Sequence, residues 1–229
     1  MNNTENSPSL LKTENLYKIY KDGKINLEVL KGIELEIKPA EVVCVIGPSG
    51  AGKSTLLHLL GGIEAPSSGT VLFEGMDLYK LSERQRAGIR NKRIGFVFQF
   101  YHLLPEFSAL ENVILPALIN RTDYAAAKER AVELLELVGL GARKEHQPSQ
   151  LSGGEQQRVA IARTLINDPD IIFCDEPTGN LDSERGQEIA QLLLNLNQEQ
   201  AKTLVIVSHE ERLSEIATRI VHIRDGQLV

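Results

Sequence analysis

The chain has 229 residues, 42% of them hydrophobic and 24% charged, with a formal net charge of −6. That length fits one large domain, or one core with a subdomain, and the apolar share is enough for a real core. The negative balance argues against a role built on gripping nucleic acid backbones, and no apolar run reaches the roughly 18 residues of a membrane span.

Residues 1–8 are polar, lack the basic-then-apolar form of a signal peptide, and predict a flexible tail. The two cysteines, Cys44 and Cys174, lie in apolar strand candidates and read as small buried hydrophobes in a reducing, cytoplasmic setting. From Leu10 to Lys38 the pattern predicts antiparallel strands, with an imperfect alternation up to Tyr20, a turn at Asp22-Gly23, and a cleaner alternation from Val29 to Ile37. Tyr20 fits either an aromatic that stacks on a base or an ordinary edge-strand aromatic, and the residues alone leave both open.

Val42 to Ile46 is a continuous β-branched run, as in a buried parallel strand. The loop after it, Gly47-Pro48-Ser49-Gly50-Ala51-Gly52-Lys53-Ser54, matches the phosphate-cradling pattern G-x-x-x-x-G-K-[ST] at every defined position. Thr55 to Leu60 predicts a helix that ends at Gly61-Gly62. A strand, a glycine loop and a helix start make an anion site, because backbone N–H groups and the positive end of the helix dipole converge there. Lys53 would reach the β- and γ-phosphates and the Ser54 hydroxyl would hold Mg²⁺.

A turn at Pro66 to Gly69, a strand from Thr70, a polar helix over Leu81–Asn91 and a strand over Arg93–Phe98 follow. The last strand ends on Gln99, at the carboxyl end where α/β sheets bind ligands. Ala109–Leu118 and Tyr124–Val138 have helical spacing and predict a helical insertion between core strands. In Leu151-Ser152-Gly153-Gly154-Glu155, Ser152 is an N-cap candidate. Read alone, this is either an ordinary capped helix or a second anion-binding tip. One nucleotide needs one cradle, so a second tip raises the prospect that it serves a neighbour's nucleotide.

Ile171 to Cys174 predicts a buried strand ending in Asp175-Glu176. A carboxylate there, beside a phosphate loop, holds Mg²⁺ directly or through water, and the next residue can polarise an attacking water. A helix over Ser183–Asn197, a strand over Thr203–Val207 ending at Ser208-His209, and a hairpin turning at Asp225-Gly226 complete the chain.

Taken in order, the phosphate loop, Gln99, Leu151-Ser152-Gly153-Gly154-Glu155, Asp175-Glu176, Asn180-Leu181-Asp182 and His209 resemble an ABC ATPase over nearly the whole chain. The resemblance implies an α/β fold: a P-loop NTPase (RecA-like) core with an antiparallel β subdomain and an inserted α-helical subdomain. It implies one ATP-binding domain over 9–229, divided into core plus β subdomain (9–99 and 165–229) and helical subdomain (100–164). It implies ATP and Mg²⁺ as cofactors, with ATP cradled by Gly47 to Thr55 and its adenine stacked on Tyr20. Ser54, Gln99 and Asp175 would hold the metal, Gln99 would also touch the attacking water, Glu176 would be the general base, and His209 and Lys53 would contact the γ-phosphate. Two copies would pair head to tail, with Ser152, Gly153 and Gly154 of one facing the nucleotide of the other, and Asp182 would communicate across the pair. Integral membrane permease subunits would dock on the segment after Gln99, at the cytoplasmic face of the inner membrane.

The stretch from Gly95 to Val113 looks most like the ATPase of lipoprotein-releasing exporters; macrolide-exporter and cell-division ATPases share the Pro177–Asp182 loop. A soluble relative acting on DNA ends or ribosomes fits less well, since it would need a long coiled-coil insert or two cassettes. A non-hydrolysing switch is disfavoured by Glu176 and His209. No nucleic acid partner is expected. Ala40 stands where the family usually has glycine, so a positive φ there would be slightly strained.

Overall fold

The computed structural model describes residues 9–22, 25–209 and 211–229; the expected tail 1–8 and the expected turn at Gly23 lie outside the described residues. Two sheets form. Strands β1 (Leu11–Asp22), β2 (Ile25–Ile37), β4 (Ser68–Phe73) and β5 (Met76–Asp77) make an antiparallel sheet in the order β2-β1-β4-β5. The imperfect alternation of β1 has a structural cause, since its pairing with β2 shifts register between Thr13 and Leu16 and again on to Ile19. Asn15 takes a φ of 48° at this irregularity.

The second sheet has the order β10-β9-β3-β8-β7-β6, formed by β3 (Val42–Ile46), β6 (Ile94–Phe98), β7 (Ile171–Asp175), β8 (Thr203–Val207), β9 (Arg219–Arg224) and β10 (Gln227–Leu228). All its pairings are parallel except the terminal hairpin β9–β10. Both faces of this sheet are covered, which is why its strands read as unbroken apolar runs. The period of two assigns alternate residues to two cores. Val42, Val97, Ile172, Cys174, Leu204 and Ile206 face the core shared with the helices, while Val43, Val45, Phe173, Val205 and Val207 face the core shared with the antiparallel sheet.

Helices α1 (Lys53–Leu60), α2 (Glu83–Arg93), α3 (Ala109–Ile119), α4 (Tyr124–Leu137), α5 (Gly153–Leu165), α6 (Ser183–Gln200) and the short α7 (Glu211–Glu215) connect the strands. Helices α2, α3 and α5 each begin with a reciprocal capping box, from Ser82/Gln85, Ser108/Glu111 and Ser152/Glu155. The predicted stripe Ala127, Ala131, Leu134, Leu135 is buried on α4, against α3 and α5. Ala40 takes a φ of 59°, the strained conformation its position suggested. Cys44 and Cys174 are buried free thiols flanking Ile206 across β8. Burial pushes the Cys44 thiol up to about 11 and that of Cys174 further in the same direction, so both stay protonated. No helix among the described residues is long and apolar enough to cross a membrane.

Candidate active site

Strand register builds the site. Phe98 pairs with Asp175, Asp175 with Val207, and Val207 with Val45. Four chain segments therefore leave the sheet at one level, and the residues just beyond are Gln99, Glu176, His209 and the Gly47 loop. They line one cavity of about 620 Å³, with Val29, Gly47, Pro48, Ser49, Gly50, Gly52, Lys53, Ser54, Thr55, Gln99, Glu176 and His209 in its wall. This is the ligand-binding edge of a parallel sheet, and the volume suits a nucleotide.

Gly52 is the N-cap of α1, with a φ of 101° and no side chain capping the helix, so the first N–H groups face the cavity unclaimed by a cap. A Cβ on Gly52 would sit 2.8 Å from Leu30 Cδ2 and 2.9 Å from Val29 O, so both conformation and space require glycine. Lys53 is 8% exposed and donates from Nζ to Gly47 O (2.9 Å) and Pro48 O (3.0 Å). An ammonium has three donors. Two brace the loop, and one remains for an anion.

Ser54 Oγ donates to Asp175 Oδ1 at 3.0 Å. Burial pushes the Asp175 carboxyl up, and the bond from Ser54 pulls it partly back. The folded state thus holds the Asp175 proton more tightly than the unfolded chain. The ionised form destabilises the nucleotide-free fold at neutral pH, and that penalty vanishes below the unfolded carboxylate range. Asp175→Asn keeps an acceptor for Ser54 without the buried charge. It is expected to raise the melting temperature of nucleotide-free protein while lowering ATP hydrolysis; a fall in melting temperature contradicts the charge argument.

Glu176 Oε2 lies 2.7 Å from His209 Nδ1, which fixes a proton on that ring nitrogen. Glu176 has a φ of 48°, an unusual backbone for a residue with a side chain and one that recurs at active sites. Its N–H donates to Val207 O at 2.9 Å. Gln99 and Asn180 exchange bonds, Asn180 Nδ2 to Gln99 O (2.9 Å) and Gln99 Nε2 to Asn180 Oδ1 (3.3 Å). A Cβ on Gly179 would lie 2.9 Å from Gln99 Nε2 and 3.4 Å from Glu176 Oε2, so both side chains converge over that glycine.

The fold therefore brings together Gly47 to Gly50, Gly52 to Thr55, Gln99, Asp175, Glu176 and His209. Ala51 belongs to the loop but is buried away from the wall. Tyr20 is not in the wall either. Its hydroxyl donates to Glu64 Oε2 (2.7 Å), its ring lies 4.9 Å from Lys18 Nζ, and it is 38% exposed. Ser152, Gly153 and Gly154 sit at the start of α5, outside this cavity. Ser152 Oγ accepts from Glu155 N at 3.3 Å. Asp182 caps α6 by accepting from Arg185 N at 3.0 Å. Sequence reasoning missed Val29 in the wall and the contact of Asn180 with Gln99; neither carries a local signal, since each depends on pairing between distant segments.

The oxygens of Ser54, Asp175 and Gln99 are hard donors of the kind Mg²⁺ prefers, and a half-buried carboxylate gains most from a cation beside it.

The ABC transporter family matches residues 30–179. The chain is 49% identical over 221 residues to the lipoprotein-releasing system ATP-binding protein LolD of Pseudomonas fluorescens, covering 96% of this chain and 97% of that protein. It is 48% identical over 219 residues to the LolD of Legionella pneumophila (strain Paris), covering 96% of each. Among solved structures, the dimeric MJ0796, a bacterial ABC transporter cassette, superposes with a TM-score of 0.89 at 42% identity, over 95% of this chain and 96% of that one. A dimeric post-hydrolysis state of MJ0796 bound to ADP and Pi gives 0.88 at 41% identity, with the same coverage. With a family match over well more than half its length and relatives this similar along nearly all of it, the chain belongs to the ABC transporter family, as an ATP-binding, ATP-hydrolysing cassette.

Proposed function

We propose that this chain powers a membrane permease by ATP hydrolysis at a site shared between two copies, and that the permease releases lipoproteins from the inner membrane. The observation that carries the shared site is a division of labour. Lys53, Ser54, Asp175, Glu176, Gln99 and His209 meet at one cavity, while the Ser152-Gly153-Gly154 tip, the other phosphate-binding element, lies outside it. The dimeric structure of MJ0796 supports pairing of two copies. The lipoprotein-releasing role is supported by the LolD relatives.

In this reading the loop from Gly47 to Thr55 grips the triphosphate, Tyr20 stacks on the adenine, and the partner's Ser152 tip closes over the γ-phosphate. Ser54, Asp175 and Gln99 would hold Mg²⁺, which when bound neutralises charge on the phosphate oxygens. Glu176 takes a proton from the attacking water. His209, braced by Glu176, and Lys53 stabilise charge on the transferred group. The helical subdomain (100–164) swings with the Ser152 tip relative to the remainder (9–99 and 165–229). Closure requires that nucleotide bind the closed pair more tightly than the open one. The permease subunits dock on the segment after Gln99 and hold the chain peripherally at the cytoplasmic face.

Purification of the tagged chain from membranes, followed by reconstitution with its co-purified subunits into vesicles loaded with a lipid-anchored protein, tests this. Release of that protein into the aqueous phase on addition of ATP is expected. Subunits that expel macrolides or engage the division apparatus instead would reassign the substrate, and the absence of any integral membrane partner would defeat the transporter reading.

A further inference from the structure

Gln157 lies in the second turn of α5, the helix that starts at Ser152, and is fully buried. Its Nε2 donates to two backbone carbonyls, Pro177 O at 2.7 Å and Phe98 O at 3.3 Å. An amide nitrogen carries two hydrogens, so both are used. Pro177 directly follows Glu176, and Phe98 directly precedes Gln99. One buried side chain thus joins the two loops that leave adjacent strands β6 and β7 at the same level.

The far end of the amide is unpaired. Gln157 Oε1 has no hydrogen-bond partner among the described residues, and neither has the buried Thr178 hydroxyl beside Pro177. Turning the amide over would aim its oxygen at two carbonyl oxygens, so the network fixes its orientation. A buried polar atom without a partner is destabilising. An apolar side chain of equal volume would avoid that penalty, but it would not hold the two loops.

We propose that Gln157 is a positioning residue for hydrolysis: from one buried point on α5 its amide ties the Gln99 loop to the Glu176 loop, so that the two keep the spacing that attack on the γ-phosphate needs. This rests on the reading of Glu176 as base. Gln157 acts on the peptide after Glu176, whose own backbone is already in an unusual conformation. It does not touch the nucleotide grip, because Lys53 is braced within its own loop by Gly47 and Pro48.

Gln157→Met keeps an unbranched side chain of similar volume and removes both donors. In the permease complex, its kcat for ATP is expected to fall on the order of 10²-fold, as for a misplaced catalytic group, with nucleotide affinity within about twofold of wild type. Unchanged kcat, or kcat and affinity falling together, overturns the proposal. Gln157→Glu gives a second, independent readout. As a carboxylate it cannot donate; protonated, it regains one donor for Pro177 O. Burial raises the pKa of such a carboxyl, so its turnover relative to wild type is expected to recover as pH falls from about 8 to about 6. A residue that only fills space gives no such recovery, so a flat ratio overturns the proposal even if Gln157→Met does not fold. Glu176→Gln, measured in parallel, separates the two ideas: normal turnover there removes the base, whereas an inactive Glu176→Gln beside a fully active Gln157→Met removes only the positioning role.

Discussion

Glu176→Gln is expected to slow ATP hydrolysis at least ~10²-fold, in line with loss of a general base, while ATP still binds. The substitution removes a proton acceptor and little else. Gln is close in shape to Glu, and the backbone bond from Glu176 N to Val207 O does not involve the side chain. The grip on the triphosphate would come from the Gly47 loop and from Lys53, which is braced within that loop and not by Glu176. Binding and chemistry should therefore separate: a nearly unchanged Kd for ATP with kcat close to background. Turnover near that of wild type in this variant would remove Glu176 from the role of base, and loss of ATP binding would mean that its contact with His209 holds the cavity open.

Mixing two inactive variants is expected to restore activity. Lys53→Ala removes the one free ammonium donor of the phosphate loop. Ser152→Asp retains an N-cap for α5, since Asp caps as well as Ser, but places a negative charge where the partner's phosphates would lie. Each homodimer has two defective sites. A heterodimer has one site with both defects and one with none, because the intact Lys53 of one chain meets the intact Ser152 of the other. Random pairing into twofold-symmetric dimers restores about a quarter of the wild-type rate if the sites act independently. If both elements of a site came from the same chain, mixing would restore nothing.

Much of this site was legible because its chemistry is local. The phosphate loop needs its glycines and lysine within eight consecutive positions, and the carboxyl-end residues Gln99, Asp175, Glu176 and His209 each follow a short apolar strand that announces itself. Ala40 was legible as a strained position for the same reason. The partition of strand residues between two cores was not, since an unbroken apolar run has no wet face to mark its register. Strand β5, with two residues, is too short for any periodicity. Val29 enters the cavity wall only because β2 packs beside the phosphate loop. Gln157 reads as one more polar residue in Glu155-Gln156-Gln157-Arg158 and would be assigned to a solvated face. Its burial becomes apparent only when the Phe98 and Pro177 carbonyls arrive from distant segments.

The most direct test is the mass in solution of Glu176→Gln protein with and without ATP. Two triphosphates, each gripped by one chain's Lys53 loop and the other's Ser152 tip, should convert monomer to dimer only when ATP is present, and Ser152→Asp in the same background should abolish the shift. A hydrolysis-blocked, ATP-loaded protein that stays strictly monomeric, both alone and with its permease, would contradict a site built from two chains.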